Sequence, residues 1–326
     1  MASVTTARAF WTVAAGCGEI RNEPLPMAVS GDIVVRAEYS GVSRGTEALV
    51  FQGHVPRSEY ARMRAPFQTG EFPFPVKYGY ASVGVVETGP GDLVDRRVFV
   101  LHPHQTRYVV PAAAAHVVPD GVRAERAILA ANLETAINGL WDGRPGVGDR
   151  IAVVGAGTVG CLVAWLARRI VGCDVELCDT NTARDTVAER LGIPFRDPGA
   201  LMHDADLVFH TSGSPAGLRT ALLHAGRETT VVDLSWYGDQ MVNLALGEEF
   251  HSRRLTIRSS QVGTIPPAQA PRWNHRRRMA LALSLLTDDA LDVLITGESA
   301  FDELPLVMAR IAASAGDTLC HRIRYE

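Results

Sequence analysis

The spacing of apolar residues changes near residue 123, and the change divides the chain in two. Over residues 8–118, short alternating or apolar runs (33–37, 82–87, 97–101 and 108–110) are separated by turn residues such as Gly89-Pro90-Gly91-Asp92. Runs of that length with such punctuation predict strands. Between them, 51–80 is rich in proline, aromatic and basic residues and is read as a long loop with one helical turn. Beyond residue 123 a helical pattern covers 124–140. Strands are then expected at 151–154, 174–178, 206–210, 229–234 and 255–259, alternating with helices at 158–170, 182–191 and 215–225. That alternation calls for right-handed crossovers and a parallel sheet covered on both faces. The tail adds a helix over 277–286, a strand at 293–295, a helix over 304–313 and a last strand over 319–324. Lying beyond a complete sheet, the tail is expected to rejoin the first domain. The fold class is therefore α/β, with a mostly-β domain over 1–125 and 264–326 and a doubly wound parallel-sheet domain over 126–263.

Chemistry enters at the first strand of that second domain. Ile151-Ala-Val-Val runs directly into Gly155-Ala-Gly157-Thr158-Val159-Gly160, and a helical pattern follows at once. Strand, G-x-G-x-x-G and helix in that order form the dinucleotide-binding turn. Gly155 permits the tight turn, Gly157 lets the backbone approach a pyrophosphate, and Gly160 lets the helix pack on the strand. Thr158 and Val159 open the helix, whose N–H groups and positive dipole end face the phosphates. The next strand ends in Asp179, close to the roughly 20 residues after Gly155 at which an acid binds the adenosine ribose. A carboxylate there accepts two ribose hydroxyls and repels a 2′-phosphate, which favours NAD(H) over NADP(H). Arg184, a short way on, is the residue that keeps NADP(H) open. The loop Leu234-Ser-Trp-Tyr-Gly238 falls at a strand end, where ligands of open α/β sheets bind.

Composition narrows the partners. The 326 residues are 47% apolar and 21% charged, with a net charge of −4, so no global field favours nucleic acid or an anionic membrane. The basic group Arg272 and Arg276-Arg277-Arg278 is read as a solvated helix start. No apolar run reaches the roughly 18 residues of a membrane span. The N-terminal Met1-Ala-Ser-Val-Thr-Thr lacks the regions of a secretion signal. Five cysteines without a C-x-x-C pair suit reduced thiols of a cytoplasmic protein.

Several motifs resemble the medium-chain dehydrogenase/reductase superfamily over essentially the full length. Gly31-Asp-Ile-Val-Val-Arg-Ala-Glu-Tyr-Ser-Gly-Val-Ser matches its first strands, Gly45-Thr46-Glu47 resembles its G-T-D, and Gly79-Tyr80-Ala81-Ser-Val-Gly84 resembles its G-H-E-x-x-G. Val118-Pro-Asp-Gly121 and Leu294-Ile-Thr-Gly resemble further family segments. Within the superfamily, Ser40 to Glu47 and Gly79-Tyr80 look most like the bacteriochlorophyllide dehydrogenase branch. The resemblance implies a GroES-like catalytic domain, a Rossmann domain and an active site between them for a small-molecule substrate. It implies that Thr211 and Ser212 lie in the loop beneath the nicotinamide. It also implies a homodimer formed through the cofactor domain, with 255–259 as the edge strand.

The departures from the family bear on mechanism. Zinc alcohol dehydrogenases hold Zn²⁺ through Cys, His and a further Cys or acid. Here Ser43 or Arg44 stands at the Cys position, Tyr80 at the His and Ala81 at the adjacent Glu; residues 88–107 contain no Cys. No zinc is expected, and a Zn²⁺ on His102, His104 and Glu47 is the alternative. Without metal, hydride transfer still needs a group to neutralise the developing alkoxide. Arg44 offers a fixed charge and a donor fork. Thr46 matches the family's proton-relaying hydroxyl. Tyr80 offers a phenolic proton, and His102, beside the pocket by resemblance, an ordinary pKa near 6.5. The expectation is that Arg44 and Thr46 polarise a carbonyl while His102 or Tyr80 handles the proton. The implied activity is a zinc-independent alcohol dehydrogenase or carbonyl reductase. The alternatives are an enoyl or quinone reductase acting on an activated C=C, and an inactive NAD(H)-binding sensor.

Overall fold

A computed structural model describes residues 6–313 and 316–326; residues 1–5 of the N-terminal stretch read above lie outside it. The chain forms two compact units. One takes residues up to Ala131 together with Met279–Glu326, and the other takes Asn132–Arg278. Among the described residues no helix is long and apolar enough to cross a membrane.

The first unit is organised by its longest strand, Asp32–Ser43. Alternation along it buries Ile33, Val35 and Ala37 in a core with Phe10, Val98, Tyr108, Phe301 and Ile323. Its first half pairs antiparallel with Arg107–Pro111 and its last five residues with Cys320–Arg324, while Ser82–Thr88 lies alongside. The tail strand Cys320–Arg324 thus completes this sheet, and Ile295–Ala300 pairs parallel beyond it. Directly after Ser43 comes a helix, Arg44–Phe51, where no helix is expected from sequence. Val50 and Phe51 are buried on it, so two apolar residues at its end anchor a helix whose first turn is polar.

In the second unit, six parallel strands stand in the order Phe195–Arg196, Asp174–Cys178, Arg150–Val154, Ala205–His210, Ala225–Asp233, Thr256–Ser259. Numbered along the chain this is 3-2-1-4-5-6, the doubly wound dinucleotide-binding order. The order reverses between Arg150–Val154 and Ala205–His210, whose final residues Val154 and His210 are in register. Ligands of open α/β sheets bind at such a switch point.

Three sequence expectations change. The helix over 124–140 is two helices, Ala124–Ala127 and Ala130–Gly143. Arg126, fully buried, bonds Asp292, Asp289 and the Leu286 carbonyl; this fixes the first piece, and the bend then buries both Ile128 and Leu129. The strand at 293–295 is displaced to Ile295–Ala300. The Asp288 side chain caps a 3₁₀ turn over Asp289–Leu294 by accepting the Ala290 N–H at 3.0 Å. Arg278, read as solvated, is buried: it donates to Glu134 at 3.0 Å, to the Val262 carbonyl at 2.6 Å and to Asn138. A cation taken out of water requires such a set of acceptors.

Candidate functional site

Two groups of polar side chains, one in each unit, carry the chemistry. In the second unit the glycine turn closes over the strand Arg150–Val154. Gly155 has φ +109° and donates its N–H to the Cys178 carbonyl at 2.8 Å. A Cβ on Gly160 would lie 1.8 Å from the Gly155 carbonyl oxygen, so only glycine lets the helix Thr158–Ala167 seat against the turn. Gly157 is different. It caps that helix without a side-chain bond, and a Cβ there would meet nothing within 4 Å. The backbone at Gly157 is therefore open from outside, beside the N–H groups contributed by the first turn at Thr158 and Val159. A pyrophosphate fits such a place.

Asp179 ends the next strand as expected. Its carboxylate accepts the Ala156 N–H at 2.7 Å and the Asn181 N–H at 2.9 Å. Each oxygen retains a lone pair for a hydroxyl donor. Arg184 does not face outward as a phosphate ligand must. It is 5% exposed, and its charge partly offsets the burial that pushes the Cys161 thiol up to about 12.

At the switch point Thr211 donates its hydroxyl to the Gly155 carbonyl at 2.8 Å, and Leu234 donates its N–H to the His210 carbonyl at 2.9 Å. Ser212 lies in a network that sequence reading missed. His210 contacts Ser212 Oγ through Nε2 at 2.7 Å and Asp233 Oδ1 through Nδ1 at 2.9 Å. Asp233 also accepts from the Tyr237 hydroxyl and the Ser235 N–H. Burial opposes the Asp233 charge, but its bonds from His210, Ser235 and Tyr237 hold the carboxyl below its ordinary value. The available signal was a single polar residue ending each of two apolar strands, Leu207-Val-Phe-His210 and Val231-Val-Asp233.

In the first unit, the end of Asp32–Ser43 and the start of Arg44–Phe51 present Ser43, Arg44 and Thr46. The Ser43 and Thr46 hydroxyls hydrogen-bond the Tyr80 phenol, whose pKa is raised by burial and by the Glu47 charge. Thr46 and Tyr80, expected from separate motifs, therefore meet. Arg44 is half-buried at the head of the same helix. Behind them runs a buried chain. Glu47 accepts the Ser43 N–H at 2.8 Å and contacts His104 Nε2 at 2.8 Å. His104 Nδ1 contacts Ser40 Oγ at 2.7 Å, and Ser40 contacts the Tyr325 hydroxyl at 2.8 Å.

His102 departs from expectation. Its ring stacks on Tyr108 at 3.8 Å between centroids and on Phe67 at 5.6 Å, and Nδ1 bonds the Pro103 carbonyl. Burial lowers its pKa to about 3, far from the ordinary value that suits proton transfer near neutrality. His102 also does not join Glu47 and His104 in a metal site. Among the described residues no three His, Cys, Asp or Glu side chains converge as a metal would require. The residues present do not fit the family's zinc.

A fold of two units, a doubly wound sheet with an open glycine turn, and polar residues after the long strand are the features in which this chain resembles the medium-chain dehydrogenases/reductases. No protein-family profile matches the chain. It is 29% identical over 259 residues to 2-desacetyl-2-hydroxyethyl bacteriochlorophyllide A dehydrogenase of Cereibacter sphaeroides, covering 72% of this chain and 74% of that one. Against D-guloside 3-dehydrogenase of Escherichia coli K12 it is 26% identical over 197 residues, covering 55% of this chain. The match spans only 56% of the guloside enzyme's length. A dehydrogenase structure from Sinorhizobium meliloti, solved bound to NADP, superposes with a TM-score of 0.78 at 18% identity, covering 98% and 99% of the two chains. The protein is a relative of the zinc-type alcohol dehydrogenase-like medium-chain dehydrogenases/reductases.

Proposed function

We propose that this protein is a zinc-independent alcohol dehydrogenase or carbonyl reductase using a nicotinamide dinucleotide, with NAD(H) preferred. The observation that carries the reading is the hydroxyl cluster of Tyr80, Ser43 and Thr46, in which Tyr80 and Ser43 stand where the resemblance puts metal ligands and Thr46 where it puts the proton-relaying hydroxyl. The bound dinucleotide would supply or accept the hydride. Gly155, Gly157, Gly160, Thr158 and Val159 would hold its pyrophosphate, Asp179 its ribose, and Thr211, Ser212 and Leu234 would line its nicotinamide half. Asp179, fixed by two backbone N–H groups, and the buried Arg184 both argue against a 2′-phosphate.

The chain's own residues take over what a Lewis acid does elsewhere. Burial keeps the Tyr80 phenol protonated at neutral pH, so it can donate to a developing alkoxide. Thr46 and Ser43 orient it, and Arg44 supplies a guanidinium to polarise the carbonyl. His102 is assigned the wall of the pocket instead of the proton. Both curated relatives are named as dehydrogenases of hydroxylated compounds, a guloside and a hydroxyethyl bacteriochlorophyllide, which favours C–OH/C=O over C=C chemistry. Pairing through the edge strand Thr256–Ser259 and a reducing, cytoplasmic setting for the five unpaired cysteines belong to the same proposal.

An anaerobic screen of NADH oxidation on matched saturated ketones and enones, with metal analysis of the same sample, tests it. The expected result is reduction of the ketone, an intact enone C=C, and turnover that survives chelation. One zinc per chain with activity lost on chelation would sink the proposal. Reduction of only the enone C=C selects the enoyl reductase alternative; tight NADH binding without turnover selects the sensor.

A further inference from the structure

Asp233, His210 and Ser212 form a second reactive constellation, one that shares Ser212 with the proposed nicotinamide subsite but needs no dinucleotide for its own chemistry. Asp233 ionises readily and can only accept, so His210 Nδ1 carries the proton of their 2.9 Å contact. Nε2 is then an acceptor, and the 2.7 Å contact with Ser212 Oγ is donated by the serine hydroxyl. Ser212 Oγ also accepts the Ser214 N–H at 3.2 Å. The result is a serine whose proton is committed to a base that an acid holds in the correct tautomer, the arrangement of roles that activates a nucleophile.

The surroundings support this use. His210 is fully buried, whereas Ser212 is exposed. The Tyr237 hydroxyl donates to Asp233 Oδ2 and the Ser235 N–H to the Oδ1 that faces His210, so both oxygens of the acid are held in place beside the imidazole. The helix Pro215–His224 begins three residues after Ser212. It approaches so closely that a Cβ on Gly217 would lie 2.0 Å from Ser212 Oγ. Its N-terminal dipole end thus lies beside the serine oxygen, where it would favour the partial negative charge that oxygen gains as its proton passes to the imidazole.

We propose that Ser212 is an acylatable nucleophile, activated by His210 and Asp233, that accepts an acyl group from activated esters. In the reaction Ser212 Oγ bonds to the acyl carbon while its proton passes to His210 Nε2. The ester's C–O bond breaks, the alkoxide or phenolate leaves with the electron pair, and His210 returns the proton to it. Water then hydrolyses the acyl-serine, so the net reaction is ester hydrolysis.

The test uses the full chain and p-nitrophenyl acetate, with no dinucleotide present, so its outcome does not depend on the hydride reading. The expected result is a burst of p-nitrophenol and one acetyl group, mapped by peptide mass spectrometry to Ser212. Ser212→Ala abolishes the burst, and His210→Gln and Asp233→Asn slow it by about 100-fold. Mapping the wild-type adduct keeps the test informative even if a variant folds poorly. No acetylation, acetyl groups found only on other residues, or Ser212 labelled at the wild-type rate in Asp233→Asn would each overturn the proposal.

Discussion

Tyr80 and His102 show how burial sorts side chains that sequence reading had grouped together. His102 is buried and Tyr80 half-buried, and the loss of water makes the phenol a firmer proton holder but the imidazole a poorer base. Removing only the Tyr80 hydroxyl (Tyr80→Phe) should lower the rate of carbonyl reduction by about 100-fold. NADH affinity, read by fluorescence titration, should stay as in the wild type, because the cofactor contacts lie elsewhere. For His102 the consequence is one of stability. Its folded pKa of about 3 lies below the ordinary 6.5, so below pH 6.5 the unfolded chain binds a proton that the native state refuses. Stability is therefore complete above about pH 6.5 and falls as the pH drops from there toward 3. At pH 5 the loss is about 2 kcal/mol. Urea unfolding at pH 7 and pH 5 should show that loss in the wild type and its absence in His102→Phe; equal losses in both would refute the assignment.

At the scale of elements, the glycine turn separates what folding needs from what a ligand needs. Gly160→Ala drives a methyl into the Gly155 carbonyl, so it should lower stability by about 1–3 kcal/mol and weaken dinucleotide binding as well. Gly157→Ala meets no protein atom. It should leave stability within about 0.5 kcal/mol yet lower dinucleotide affinity at least about tenfold. Thermal melts beside NADH titrations distinguish the two, and unchanged affinity in Gly157→Ala would mean that no phosphate approaches there. The strands of this unit were legible because each is a short apolar run between helical patterns. The helix Arg44–Phe51 was not. Its eight residues hold one polar turn and a few apolar residues, and only packing under Phe10 and its neighbours distinguishes that from loop.

For the molecule as a whole, the boundary of the second unit is the informative place. The chain leaves that unit at Arg278, and Arg278 ties back to Glu134 and Asn138 near its start. Burial raises the Glu134 pKa, and the Arg278 charge opposes that rise. Arg278→Met strands a buried carboxylate and should cost about 3–5 kcal/mol. Adding Glu134→Leu should recover most of it, as measured by chemical unfolding of the single and double variants. Sequence reading closed this domain at 263 because the sheet is complete there, and it read the run of arginines as a solvated helix start; charge pattern alone cannot reveal a buried acceptor 144 residues away.

By itself the sequence determined the alternation that builds the doubly wound sheet, the glycine turn and Asp179. Each depends on neighbours a few residues apart, and local backbone geometry follows from local spacing. The tertiary structure decided which polar groups meet. Tyr80 reaches Thr46, Glu47 reaches His104, and His210 reaches Asp233 only because strand register and sheet order carry distant segments to one place. It also decided which of those groups keep their protons, since burial is a property of the packed chain that no single segment contains.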